Sequence, residues 1–176
     1  MSTTATTVPA GTYGLDNVHS SIGFAVKYNG IASFRSSFAT YDAALADGVL
    51  TGTADAASIA IDEPNFKGHL LSGEFFDAEN TPTITFKSTD VKVAEDGTAE
   101  VTGDLTIRGN TKSVVATGSF NAGPDAFGNE RANFELEATI DRREFGLNWQ
   151  NALPNGADAL AWDVTLKVDL QFVKAA

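Results

Sequence analysis

Few side chains in this sequence are spaced for proton or nucleophile chemistry. His19 follows Asp16 by three residues, a local carboxylate and imidazole spacing that could orient a general base, while His69 stands alone. The two histidines are not at metal-ligand spacing, neither has a nearby second His or Cys, and zero cysteines remove thiolate ligands and disulfides. Both read as satisfied structural histidines. Glu135 and Glu137 share one strand face, but it is opposite Phe134 and Leu136, so they form a solvated outer edge. No serine lies in a nucleophile elbow, and no phosphate-cradling glycine loop or dinucleotide fingerprint is present. The expectation is a non-enzyme with no catalytic residue, no metal site and no cofactor.

Recognition chemistry is better represented. Arg35, Lys67, Lys112, Arg142 and Arg143 fall in or beside connections that carry Phe34, Phe66, Phe75, Phe76, Phe145 and Trp149. In an acidic chain such a cluster fits an anionic head group, because arginine can pair two oxygens at once. The alternative is that these cations pair with Asp62, Glu63, Asp141 and Glu144 in solvated loops.

The elements that must position these groups are strands. Period-two alternation runs through Ile22, Phe24, Val26 and Tyr28, through Phe134, Leu136, Ala138 and Ile140, and through Trp162, Val164, Leu166, Val168, Leu170 and Phe172. Turn dipeptides at Asn29-Gly30, Asp47-Gly48, Asp96-Gly97 and Asn155-Gly156 punctuate the runs. A turn at Gly109-Asn110 would set Leu105 against Val114, Ile107 against Lys112 and Gly103 against Ala116. That leaves one apolar face almost bare at its centre. The bareness means either a cavity or a barrel-corner bend. Lys27, Lys87, Arg108 and Lys167 lie on outward faces by the same parity.

Strands are expected near 20–28, 36–46, 49–61, 83–94, 98–108, 111–121, 131–141 and 162–174. Eight up-and-down neighbours close into a barrel without edges, whose interior is packed or holds one small ligand. The connections 29–35, 62–82 and 142–161 then fall at one end, with the aromatic residues as a lid. The fold class is all-β, a lipocalin-like closed antiparallel up-and-down barrel with a short helical lid segment.

Length and charge set the outer bounds. The 176 residues, 43% of them hydrophobic, suffice for one domain, expected over 12–174 with a disordered tail over 1–11. That tail lacks the basic start and apolar run of a signal peptide, which favours the cytoplasm. A net charge of -11 opposes nucleic acid and anionic membrane surfaces. No segment is apolar enough for stable membrane insertion.

The run Tyr13, Asp16, His19-Ser20, Ile22, Phe24 and Val26, followed by His69-Leu70, Phe75-Phe76-Asp77, Pro82, Ile84-Thr85-Phe86 and Ser88, resembles the YceI-like lipid-binding family. The likeness continues through Gly103-Asp104-Leu105-Thr106-Ile107, Gly109, Thr111-Lys112, Ile140-Asp141-Arg142 and Phe145-Gly146. It spans Tyr13 to Phe172 in order. It departs at Tyr28, Ser36, Asn110 and Ala161-Trp162, and of these Tyr28 and Trp162 bear on the ligand.

The resemblance implies an apolar interior holding a long amphiphile such as a polyisoprenoid, an isoprenoid quinone or a fatty-acid derivative, and it admits a homodimer. The expected tunnel lining is Phe24, Val26, Tyr28, Phe38, Phe75, Phe76, Phe86, Leu105, Phe134, Leu136, Trp162 and Leu166, with Arg35, Lys112 and Arg142 at the head group. Gly103→Phe is expected to fill the tunnel without disturbing the fold. Burying about twenty carbons removes roughly 16 kcal/mol of hydration cost, so the competitor for the ligand is the bilayer, and binding means storage or transport. A packed structural barrel, or an enzyme acting on a bound lipid through His19 and Asp16, are the alternatives. The segment 65–80, with Phe66, Leu70 and Gly73 on one side of a short helix, is either a gating lid or a fixed plug.

Overall fold

In the computed structural model, which describes residues 5–6 and 8–175, the alternating runs become one antiparallel sheet of eleven strands. They are β1 (Ala5–Thr6), β2 (Thr12–Leu15), β3 (Ser21–Tyr28), β4 (Ala32–Ser37), β5 (Tyr41–Ala46) and β6 (Val49–Asp55). After the helix α1 (Pro64–Leu71) come β7 (Thr83–Ala94), β8 (Thr98–Ile107), β9 (Asn110–Pro124), β10 (Glu130–Asp141) and β11 (Leu160–Lys174). Two interruptions turn ten of these strands into eight staves. β2 and β3 form one broken stave, and both pair with β11, through Leu15 opposite Phe172 and Phe24 opposite Leu166. β5 and β4 form the next, pairing with β2 and β3 in turn. From β6 onward each strand bonds to its sequence neighbour, and the β10–β11 ladder completes a closed barrel.

Several expected boundaries move. The strand expected over 36–46 is broken between β4 and β5, where Phe38 bridges to Ile59 instead of continuing the ladder. The one expected over 49–61 stops at Asp55, because a 3₁₀ turn over Ala56–Ser58 redirects the chain. Of the tail expected over 1–11, residues 1–4 and 7 lie outside the described residues. Ala5 and Thr6 pair with Ala94 and Val93, and Gly11 donates its N–H to Asp47 Oδ1 at 2.9 Å.

The β8–β9 hairpin turns on Arg108-Gly109, not on Gly109-Asn110. Both turn residues have positive φ, 51° and 73°, and Leu105 faces Lys112 while Gly103 faces Val114. The shift is two residues, so each side chain keeps its face. Long-range bonds hold the shifted turn. Arg108 Nη1 donates to Phe75 O at 3.0 Å and Gly146 O at 3.2 Å, so Arg108 ties loops together instead of pointing to solvent. Asn110 Nδ2 reaches Phe145 O at 2.9 Å.

The interior divides lengthwise. At the end carrying the Asp47-Gly48 and Asp96-Gly97 turns, Tyr13, Leu45, Val101, Phe120, Phe134 and Phe172 pack into a solid core. At the other end a second cluster joins the barrel to α1 and the 142–149 segment, through Phe38, Leu70, Phe75, Ile107, Phe145 and Leu147.

Candidate functional site: an apolar cavity beneath an aromatic mouth

The second cluster does not meet at its centre. It surrounds a cavity of about 660 Å³, within the roughly 300–1,000 Å³ typical of small-molecule sites. The wall is built by alternation: Ile22, Phe24 and Val26 from β3, Ile84 and Phe86 from β7, Leu105 and Ile107 from β8, and Leu136, Ala138 and Ile140 from β10. Val164, Leu166, Val168 and Leu170 of β11 complete it. Small residues at Gly52, Ala54, Ala116 and Ala138 hold the opposing walls apart.

Over this wall lies an aromatic cover. Phe38, Phe24, Phe34 and Phe66 form a chain of ring contacts with centroids 5.9, 6.0 and 5.3 Å apart in that order, and Phe76 meets Phe38 at 6.0 Å. On the other side His69, Phe75 and Trp149 make a mutual cluster with centroids 5.1 to 5.4 Å apart. Such edge-on and tilted pairs are the favoured aromatic geometries. His69 Nε2 lies 2.6 Å from Glu74 Oε2, which fixes the ring in the cover. α1 itself starts on Pro64, and the Glu63 carboxylate accepts the N–H groups of Asn65 and Phe66.

Of the residues expected to form the tunnel, Phe24, Val26, Tyr28, Phe38, Phe75, Phe76, Phe86, Leu105, Leu136 and Leu166 line the cavity. Phe134 and Trp162 lie elsewhere. Phe134 sits deeper in the solid core, its ring centroid 4.8 Å from that of Phe120. Trp162 lies within a register shift between Leu160 and Val164 that interrupts the alternation locally. Its indole donates to Asp158 and lies under the guanidinium groups of Arg142 and Arg143, 4.2 and 4.7 Å from the ring centroid.

The bare position at Gly103 has two occupants. A Cβ there would collide with the Phe86 ring and with the Lys87 carbonyl at 2.5 Å, so the phenyl ring covers the glycine and Gly103→Phe cannot be accommodated without displacing the strand. At Gly118 the Glu135 carbonyl occupies the corresponding space. Both glycines mark close approach. The open position is Gly52, where a Cβ meets only Asp42 O at 3.7 Å.

The cations separate as well. Arg142 is 2% exposed, and its guanidinium donates to the carbonyls of Leu147 and Trp149 at 2.7 Å, Ala161 at 2.9 Å and Leu160 at 3.2 Å. Burial pulls its pKa down, opposed in part by Asp141 and Asp158. It touches the cavity, yet its donors are spent on the 147–161 loop. Arg143 pairs with Asp141 at 2.7 Å. Lys112 is exposed opposite Leu105 and does not line the cavity. Arg35 lines the rim, is exposed, and has no ion pair among the described residues.

His19 and Asp16 lie outside the lining. Their 2.7 Å contact is part of a surface network in which Arg131 joins Asp16 to Asp125. The hydrogen bond from His19, then that from Arg131, holds the Asp16 carboxyl down at about 2. Parity could have added Ile84, Ile107, Ile140 and Val164 to the lining. Leu147 and Trp149 carry no periodic signal and are placed by the Arg142 bonds.

A profile of the YceI-like domain matches residues 13–172, and the chain belongs to this family. A UPF0312 protein of Vibrio cholerae serotype O1 is 32% identical over 153 residues, 81% of either chain. Another from Ectopseudomonas mendocina is 34% identical over 130 residues, 73% of this chain and 68% of the relative. Among solved structures, the Campylobacter jejuni YCEI protein superposes with a TM-score of 0.72 at 22% identity, covering 85% of this chain and 90% of that one. A polyisoprenoid binding domain from Saccharophagus degradans gives 0.69 at 13% identity, with 93% and 98% covered. These two likenesses establish the fold.

Proposed function

We propose that the barrel stores or carries one long-chain amphiphilic lipid, a polyisoprenoid, an isoprenoid quinone or a fatty-acid derivative, with its tail in the cavity. The observation that carries this reading is the apolar volume of about 660 Å³ with aromatic residues at its mouth. Family membership and the polyisoprenoid binding of the Saccharophagus degradans domain support the ligand class. Arg35, exposed at the rim and without an ion pair among the described residues, would meet a polar head group. The reading favours binding over turnover, since the His19 and Asp16 pair stands away from the cavity.

Organic extraction of the purified protein followed by mass spectrometry tests this directly. An isoprenoid or acyl species at near-unit stoichiometry is expected, and its loss in Gly52→Phe, which directs a ring into the open part of the cavity. Unchanged lipid content in a folded Gly52→Phe protein would overturn the reading.

A further inference from the structure

The mouth of the cavity is bounded on one side by the hairpin joining β3 to β4. Tyr28, Asn29, Ser33, Phe34 and Arg35 of this hairpin line the opening, while Ile31 at its tip lines nothing. Ile31 is 90% exposed, and beside it Tyr28 and, across the Phe34 contact, Phe66 of α1 are each 40% exposed. Single exposed apolar residues are ordinary, but these border the opening of an apolar cavity. The tip is also held firmly, since Asn29 N–H donates to Ala159 O at 2.7 Å and Asn29 and Gly30 adopt the positive φ of a tight turn.

Charge sorts to the same place. The chain carries 23 acidic residues, yet from Asn17 to Tyr41 there is none. The hairpin has Lys27 and Arg35, both exposed and without an ion pair among the described residues. It is therefore a cationic, apolar-tipped projection on a protein of net charge -11.

We infer that the β3–β4 hairpin docks transiently on a lipid bilayer, inserting Ile31 at the interface and setting Lys27 and Arg35 against lipid phosphates, so that the lipid passes between bilayer and cavity without crossing water. This rests on the lipid-binding reading above. A protein docked here would have to offer its own apolar interior to a tail leaving the mouth, and a bilayer offers one everywhere. Basic residues beside an interfacial apolar anchor are the composition such contacts use. The overall negative charge keeps the contact brief.

The test measures uptake of a fluorescent isoprenoid-chain amphiphile from phosphatidylcholine vesicles, with and without added phosphatidylglycerol. For the unaltered protein the uptake rate should rise in proportion to vesicle concentration, the sign of collision-limited transfer, and rise further with phosphatidylglycerol. Ile31→Asp should slow uptake about tenfold or more, the factor expected when a side chain of this size no longer leaves water. Lys27→Glu should remove the gain from phosphatidylglycerol. Phe127→Asp, changing an equally exposed aromatic in the loop before β10, should leave the rate unchanged. Equilibrium binding of the same amphiphile dispersed in buffer should be equal in all four proteins, since none of the three positions lines the cavity. A rate independent of vesicle concentration, or unaffected by Ile31→Asp, with buffer binding intact, would overturn the docking and spare the cavity reading. Absence of binding in both formats would overturn both.

Discussion

Arg142 shows how a residue type can point to the right region and the wrong partner. Its position after β10 places a guanidinium at the mouth end, but four carbonyls of the 147–161 loop take its donors, in a site where lysine could not match the planar fork. Arg142→Lys should lower stability by about 2–4 kcal/mol in urea unfolding, because buried carbonyls left unpaired cost roughly 1–3 kcal/mol each. Arg142→Met should cost at least as much. Asp16 gives a second case, at the surface. A carboxyl held at about 2 when folded and near 3.8 otherwise contributes stability above pH 4 that is lost as pH falls toward 2. Asp16→Asn should flatten stability against pH in that window, by about 1–2 kcal/mol after allowance for solvent screening. Equal slopes in the two proteins would show that the network with His19 and Arg131 carries no net energy.

Among the elements, strands were readable and their joints were not. Alternation identified the faces of β3, β8, β10 and most of β11, because one side of each carries apolar residues toward the interior. It failed at Trp162, which lies inside the irregularity between Leu160 and Val164 and leaves the face those two residues share, and at Arg108, where bonds to Phe75 and Gly146 select a turn no local dipeptide announces. Both depend on contacts distant in sequence. α1 was legible as a short helix through Phe66 and Leu70, but the Glu63 cap that starts it is visible only in the structure. Removing that cap by Glu63→Ala should cost about 1 kcal/mol locally and speed lipid exchange. Hydrogen exchange over residues 65–80 should slow on adding lipid if this segment gates the mouth. Strong protection that is the same with and without lipid would make it a plug.

Taken as one molecule, the barrel has a filled half and a hollow half. The existence of the cavity end was legible from the aromatic connections gathering there. Its volume was not, since Gly103 and Gly118 look empty in sequence and are covered in space by Phe86 and by the β10 backbone. The hollow half also makes the fold compressible. Unfolding abolishes internal void, and the volume lost on unfolding scales with that void, so the lipid-free barrel should sit at the large end of the usual change of roughly -20 to -100 mL/mol. Under hydrostatic pressure the empty protein should therefore unfold well before the loaded one, with the Trp149 environment at the mouth changing before the core around Phe134.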